Sequence, residues 1–163
     1  MTDTRTRAEE SIRVDAPPSA VFGYCLDPRQ LFAGDPKHVV DAQVTDGGVG
    51  TTAHLSMKVG VLEESDRLEY VEVVPDRRIE IAMQPTMSLR GLAKPHHETA
   101  LYSLIHEFEP EGDGTRMTLK VQVHDAPLYE RMIDRLEGKG PDKMVHNRLQ
   151  RVAKAVEEAA AGA

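Results

Sequence analysis

The order of the sequence patterns constrains the fold of this chain more than any single motif does. One segment with alternating apolar and polar residues is followed by a short helical stretch, six further alternating segments and a final amphipathic helix. Strands that follow one another through short turns pair antiparallel, and a sheet with one apolar face has to bury it against another element. The order therefore predicts an α+β fold in which a curved seven-stranded antiparallel sheet wraps around a long C-terminal helix.

Alternation and turn chemistry place the individual elements. Helical spacing after Pro17 and Pro18 predicts a short helix over residues 19–26, with a further helical turn near Leu31. Residues 64–66 are predicted to form a turn. Period-2 alternation predicts strands over residues 9–15, 40–44, 51–59, 67–74, 78–84, 99–109 and 115–124. In the predicted strand over residues 67–74 apolar side chains occupy both faces, so the pattern does not decide which face points inward.

The end of the chain carries a helical pattern with one interruption. Two glycines and a proline in residues 138–141 would break a helix, so we predict a short helix over residues 128–136 and a main helix that begins at Pro141. The apolar residues of the main helix lie along one face, at spacings of four, three and four: Val145, Leu149, Val152 and Val156. We expect this face to pack into the concave side of the sheet.

Residues 85–98 form the only long connection between the predicted strands. Fourteen residues exceed the usual length of a hairpin loop, which indicates a functional or mobile loop that could cover the mouth of a cavity. The connection contains Arg90, His96 and His97. We expect solvent-exposed loop side chains at these positions, and contact between Arg90 and an anionic ligand group is the alternative.

Composition and charge exclude several classes of function. The 163 residues fit one domain, which we place at residues 8–160. A net charge of −7 disfavours nucleic-acid binding, because neutralising phosphates needs a basic surface. Residues 1–10 are polar and precede no apolar stretch, so neither a signal peptide nor an integral membrane segment is expected. Cys25 is the only cysteine, which fits a reducing compartment, and we expect a cytoplasmic protein; the oligomeric state stays open.

Three stretches carry a resemblance to a known family: the helix start at residues 16–22, the turn at residues 48–51, and the hairpin over residues 108–119 with its Gly-Asp-Gly-Thr loop. Together with the strand order, they resemble the SRPBCC or START-like helix-grip superfamily. This superfamily includes START lipid-transfer domains, birch-pollen-allergen proteins and polyketide cyclase/dehydratase-like proteins, and the chain is most similar to the last branch. The resemblance covers residues 8–158 and implies a deep cavity for a small apolar or aromatic molecule. It carries over no catalytic residue.

Side chains that the alternation turns toward the expected cavity are the candidate ligand-binding residues. Those on the strands and the main helix are Leu55, Met57, Met83, Tyr102, Leu104, His106, Phe108, Leu119, Val145 and Leu149. Few of them are polar, and methionine adapts to irregular apolar shapes. The leading hypothesis is therefore a protein that binds a small hydrophobic molecule, polyketide-like or lipid-like.

His106 and Glu72 are the candidates for chemistry in such a cavity. His106 lies on an otherwise apolar strand face, where it is either a core histidine with a satisfied hydrogen bond or a ligand-contacting or acid–base group. Glu72 is expected to point outward into solvent, although an inward carboxylate would be a general base. The alternative function is therefore a cyclase/dehydratase-type enzyme that transfers protons through one of these residues, and a protein-partner surface is a third possibility.

No motif argues for a metal or a cofactor. Residues 48–53 match the GxGxxA dinucleotide fingerprint, but a strand pattern follows where that site needs a helix, so a hairpin turn is expected. The seven histidines include no HExxH pair. Cys25 falls on the apolar side of the first helix and is expected to be structural. We predict no cofactor and no metal.

Overall fold

The computed structural model describes residues 4–89, 97–98, 101–124 and 140–162. Three helices lie within these ranges: α1 at Pro18–Cys25, α2 at Pro28–Leu31 and α3 at Gly140–Ala161. The strands are β1 at Thr4–Val14, β2 at His38–Gln43, β3 at Thr52–Val59, β4 at Leu62–Val74, β5 at Arg78–Leu89, β6 at His97–Glu98, β7 at Leu101–Glu111 and β8 at Gly114–His124.

Seven strands form one curved antiparallel sheet in the order β1-β8-β7-β5-β4-β3-β2. The two-residue β6 adds a short pairing on β5 that the sequence analysis did not anticipate. The predicted fold, a helix-grip arrangement with two short helices after the first strand, is confirmed. Hairpins join β3 to β4, β4 to β5 and β7 to β8, as the closely spaced turn residues predict.

Helix α3 lies along β1 and buries the predicted apolar face, Val145, Leu149, Val152 and Val156. Near its first turns, Nδ1 of His146 is 2.9 Å from Oε1 of Glu10. Near its end, the backbone N–H of Asp15 donates to Oε1 of Glu157 over 3.3 Å. The helix and β1 therefore run side by side in the same direction.

The short helices α1 and α2 close one end of the layer between the sheet and α3. Phe22 of α1 packs edge-on against Phe108 of β7, with ring centroids 5.9 Å apart. The hydroxyl of Tyr70 on β4 donates to the backbone carbonyl of Cys25 over 2.7 Å, in a buried contact at the end of α1. Such a bond satisfies a carbonyl that the helix end leaves without an intrahelical partner.

Strand β4 differs from the prediction at its start. The predicted turn at residues 64–66 is wrong, because the chain turns at Gly60, which has φ of 60°, and residues 64–66 are already paired with β3 and β5. Asp66, Leu68 and Tyr70 are buried, which settles the open register of this strand. After a bulge beyond Tyr70 the alternation shifts, and Glu72 is exposed as expected.

The long connection at residues 85–98 is shorter than predicted. Residues 85–89 continue β5, and His97 belongs to β6 rather than to a loop. Arg90 and His96 lie outside the described residues, and so does the short helix predicted over residues 128–136. The hairpin prediction for residues 48–51 agrees with the backbone, since Gly48 and Gly50 have φ of 94° and 86° and β3 follows them.

Candidate functional site

The concave face of the sheet, together with the facing side of α3, holds the side chains predicted to bind a ligand. Eight of the ten are buried, whereas Met57 and Tyr102 are half-buried. Most of the apolar ones belong to one continuous hydrophobic cluster between sheet and helix. The structure therefore brings the predicted residues to the same layer, where they pack against one another.

A cavity of about 730 Å³ opens between β1 and the first turns of α3. Glu9 and Glu10 line it from the strand, and the helix contributes Gly140, Asp142, Lys143, Val145 and His146. Val145 is the predicted pocket residue that the cavity reaches. A volume of this size is in the range of small-molecule sites.

Two buried polar side chains lie close behind this cavity. Cross-strand pairing puts Glu10, Leu119 and His106 in one row on the concave face, so His106 is two strand spacings, about 10 Å, from the cavity-lining Glu10. On the helix, Arg148 is three residues beyond Val145, about 4.5 Å along the axis and on the same buried face. Neither His106 nor Arg148 lines the cavity itself, and the buried Leu119 lies between Glu10 and His106.

His106 is fully buried on β7. Neither of its ring nitrogens has a hydrogen-bond partner of normal geometry in the described part of the chain. Burial and, second, the nearby charge of Arg148 lower the pKa of His106 to about 3, and the Ile79 backbone opposes this shift weakly. At neutral pH the imidazole is therefore uncharged, with one N–H donor and one acceptor nitrogen.

Arg148 is the residue that the sequence analysis missed. It is 5% exposed, and its Nη2 donates to Oδ2 of Asp35 over 2.6 Å. Arg151, one turn further along α3, donates to the other oxygen of the same carboxylate. The guanidinium carbon of Arg148 lies 4.5 Å from the ring centroid of Phe32. Burial lowers its pKa to about 10, so it remains charged at neutral pH.

Two nitrogens of Arg148, Nε and Nη1, are buried and have no partner among the described residues. The signal for this residue is its position: residue 148 follows Val145 by three and precedes Leu149 by one, so it falls on the apolar face that the periodicity identifies. A charged residue on that face is either paired or functional. Arg148 is paired on one side only.

A second polar cluster lies on the concave face at β4. Nζ of Lys37 donates to Oδ2 of Asp66 over 2.6 Å and to Oε1 of Glu64 over 2.8 Å. Asp66 is fully buried, and its Oδ1 has no hydrogen-bond partner within the described ranges. Burial raises the pKa of Asp66 despite the neighbouring Lys37 ammonium, and Glu64 adds to the shift. Burial alone would lower the pKa of Lys37, but the two carboxylates raise it, so this side chain stays charged.

The remaining candidates have local partners. The hydroxyl of Tyr102 accepts from Nη1 of Arg7 over 2.8 Å, and the Arg7 guanidinium lies 5.5 Å from the ring centroid. Glu72 forms an ion pair with Arg78 on the solvent side over 2.8 Å, so it is not an inward general base. Cys25 is fully buried, and burial raises the pKa of its thiol. This thiol is protonated at neutral pH, as a structural role requires.

The concave face is more polar than predicted. In addition to the predicted His106, Asp66 on β4 and Arg148 on α3 are buried in this layer, and the three side chains leave five polar atoms without partners in the described structure. Strand alternation places apolar and polar residues on a face without showing how the helix and the short connections add charge to it. Buried donors and acceptors of this kind bind oxygen and nitrogen groups of a ligand, or ordered water.

The described residues contain no group of three or more His, Cys, Asp or Glu side chains that could hold a metal ion. Among the described helices, none is both long enough and apolar enough to cross a membrane. The residues with candidate chemistry are therefore the buried polar side chains of His106, Arg148 and Asp66. The cavity is a separate feature of the same site.

Comparison with protein families gives one match that spans nearly the whole chain. Residues 5–159 match the family described as polyketide cyclase / dehydrase and lipid transport. No curated protein matches the sequence.

Solved structures with the same fold come from bacteria and plants. A putative uncharacterized protein from Rhizobium leguminosarum is 22% identical, with a TM-score of 0.66 and coverage of 95% of this chain and 97% of that one. A norcoclaurine synthase point mutant from Thalictrum flavum, in complex with a transition-state analogue, is 17% identical, with a TM-score of 0.66 and coverage of 98% of both chains. The Mll3558 protein from Rhizobium loti is 18% identical, with a TM-score of 0.60 and coverage of 93% and 99%. At these identities the likeness shows the fold.

Proposed function

Because the chain belongs to the polyketide cyclase / dehydrase and lipid transport family, we propose that it binds a small, largely apolar molecule that carries oxygen groups, polyketide-like or lipid-like. The ligand enters through the cavity beside β1 and lies between the sheet and α3. Of the predicted residues, Val145 lines this cavity in the described structure. The others lie in the layer behind it, where most of them pack against one another: Leu55, Met57, Met83, Tyr102, Leu104, His106, Phe108, Leu119 and Leu149. Binding takes place in the cytoplasm, which the unpaired Cys25 thiol supports.

One observation carries the proposal: four buried nitrogens, two of His106 and two of Arg148, have no hydrogen-bond partner of normal geometry in the described structure. They lie in the layer between the sheet and α3, although neither residue lines the cavity that opens between β1 and α3. Leaving a buried polar group unsatisfied costs about 1–3 kcal/mol. A ligand that offers oxygen atoms to these nitrogens recovers that free energy on binding. A purely hydrocarbon ligand does not.

The apolar part of the site supports the same conclusion. Val145 is the apolar side chain that lines the cavity, and Leu149 on the helix and Leu119 on β8 are buried in the core. Burying apolar ligand area contributes roughly 25 cal/mol per Å². The ligand is thus held by its hydrocarbon frame and oriented by its polar groups.

Binding of an aromatic dye tests the proposal. We expect 8-anilinonaphthalene-1-sulfonate to bind the folded protein with a defined stoichiometry, and a tryptophan in place of the cavity-lining Lys143 to weaken this binding severalfold. Lys154→Trp is the matched control, since Lys154 is an exposed lysine of the same helix outside the cavity lining. Equal affinity of both variants and the wild-type protein would contradict the proposed entrance.

Native mass spectrometry of protein purified from its own cells would identify a retained molecule.

A cyclase- or dehydratase-type enzyme is the second candidate, and Asp66 is the observation that favours it. Lys37 pairs with Oδ2 of the Asp66 carboxylate, burial raises the pKa of this group, and Oδ1 has no partner in the described structure, so Oδ1 is the atom that would take a proton from a ligand. His106 is the weaker candidate, because a pKa of about 3 makes it a poor base at neutral pH. The test is incubation of the retained molecule with the protein in deuterated water: catalysed exchange at carbon that Asp66→Asn abolishes supports the enzyme, and no exchange contradicts it.

A further inference from the structure

The connection between α2 and β2, residues 33–37, is held against the rest of the protein by charged side chains, and we call it the strap. Asp35 and Lys37 are its inward residues, with side chains 5% and 29% exposed, whereas the other three residues are exposed. Its backbone hydrogen bonds in the described structure are local, since Ala33 and Asp35 donate to carbonyls three residues earlier. Pro36 has no N–H to donate. The strap therefore contributes no buried apolar side chain to the core.

The two inward side chains bind partners on two different layers. Asp35 accepts hydrogen bonds from Arg148 and Arg151 of α3. Lys37 donates to two carboxylates of β4, one of which belongs to the buried Asp66. The first group has a net charge of +1 and the second of −1, so the two groups balance each other. Burial lowers the pKa of Arg148, and Asp66 is one of the groups that oppose this shift, so the two groups also attract each other.

Gly34 brings the backbone of the strap close to α3. Its φ is 84°, and a Cβ at this position would lie 2.9 Å from Cδ of Arg151. A side chain here would strain the backbone and push the strap away from the helix. The closed position of the strap therefore depends on Gly34 together with the two charged groups.

We propose that the strap opens as a unit while the rest of the protein stays folded, and that this opening gives solvent and small polar molecules access to Arg148 and Asp66. Neither residue lines the cavity beside β1, so this access is separate from the proposed ligand entrance. A segment without buried apolar side chains leaves its place at a lower free energy than global unfolding requires. The opening is a property of the protein without ligand, so it can fail while the proposed binding function stands, and the reverse.

Cys25 is a natural probe of the opening, because it is the only cysteine of the chain. It is fully buried, and it is an electrostatic neighbour of Arg148. We would measure the rate at which iodoacetamide alkylates this thiol at increasing urea concentrations. Local opening gives a rate that depends weakly on urea, whereas global unfolding gives a steep dependence. Without urea, we expect alkylation about tenfold or more faster than the free energy of global unfolding predicts.

Two variants act on the strap, and each has a matched control elsewhere. Gly34→Ala keeps both charged groups and Asp35→Asn weakens one of them, and each is expected to speed the weakly urea-dependent reaction about tenfold. Gly112→Ala introduces the same kind of backbone strain in the turn between β7 and β8, where φ is 59° and a Cβ would meet open space. Asp41→Asn removes an exposed carboxylate of β2. Both controls are expected to leave this reaction unchanged.

Three results would overturn the inference. One is a steep urea dependence of wild-type alkylation at every urea concentration, because Cys25 then reacts only through global unfolding. Another is an equal acceleration in the controls, and the third is no acceleration in Gly34→Ala, since either places the opening outside the strap. If Asp35→Asn does not fold, Gly34→Ala and the wild-type urea dependence still decide the outcome.

Discussion

The guanidinium carbon of Arg148 lies 4.5 Å from the centre of the Phe32 ring, which joins the buried face of α3 to the residue that ends α2. Three residues later, Asp35 accepts a hydrogen bond from the same guanidinium. The short connection after α2 therefore determines where the charged end of Arg148 lies. Changes in that connection should alter the position of the guanidinium and the stability of its contacts.

Phe32→Leu is expected to destabilise the protein by more than the loss of ring volume alone, since it also removes the contact between ring and cation. In a double-mutant cycle with Arg148→Met, we expect a coupling free energy of about 1–2 kcal/mol, measured by urea unfolding. Phe22→Leu is the matched control, because Phe22 packs on Phe108 instead. Coupling of Phe32 no larger than that of Phe22 would show that the contact contributes nothing specific.

Acid should destabilise the protein through His106. Its pKa is about 3 in the folded protein, well below the ordinary value of 6.5 for a histidine side chain. Below about pH 6.5 the unfolded chain binds a proton at His106 that the folded protein does not. The stability that the neutral imidazole contributes is therefore fully present above that pH and decreases as the pH falls. Between pH 7 and about pH 5 we expect a loss of roughly 2 kcal/mol from this group.

Urea unfolding at the two pH values measures this loss. His106→Leu should flatten the dependence, whereas His54→Gln, at an exposed histidine beside Asp41, should leave it steep. An unchanged slope in His106→Leu would mean that the buried imidazole is protonated in the folded protein.

Lys37→Met should be strongly destabilising, because it leaves the buried Asp66 carboxylate without its cation. We expect a loss on the order of 3 kcal/mol in the free energy of unfolding, from denaturant titration. Adding Asp66→Asn to Lys37→Met should restore much of it, since an amide needs no counter-charge. Lys58→Met, at an exposed lysine of β3, serves as control. A double variant as unstable as the single one would refute this electrostatic explanation.

Adjacent glycines in the turn before β3 should respond differently to alanine. Gly47 and Gly48 both have positive φ, of 81° and 94°. A Cβ on Gly47 would meet open space, but one on Gly48 would lie 2.8 Å from a side-chain carbon of Leu26 and 3.3 Å from Val73. Thermal unfolding should show a cost of about 1 kcal/mol for Gly47→Ala from backbone strain, and a larger cost for Gly48→Ala. Equal costs would indicate that Leu26 moves aside freely.

The sequence predicted the fold well because its periodicities are strong where the core is. The spacing of Val145, Leu149, Val152 and Val156 defines the buried face of α3, and the alternation around Leu104 and Leu119 identifies the concave face. These residues stabilise the fold by being buried, and sequence periodicity identifies buried positions.

The polar part of the site was not predictable in the same way. Periodicity places Arg148 on the apolar face of α3, but its partners Asp35 and Phe32 lie more than a hundred positions earlier and no local pattern identifies them. Asp66 looked like part of a turn because acidic and serine residues surround it, although its spacing from Leu68 and Tyr70 is that of one strand face. Long-range pairing overrides local turn preference at this point.

The pairing of β1 with β8 has a consequence for how the protein is made. β1 is the first strand to be synthesised, yet its partner residues on β8 lie about 100 or more positions later, and α3, which packs on it, comes later still. At roughly 5–20 residues per second, ribosomes leave β1 unpaired for on the order of ten seconds. During this time β1 could pair with a non-native strand of the nascent chain. Charged side chains along a strand disfavour such pairing, and β1 carries five of them: Arg5, Arg7, Glu9, Glu10 and Arg13.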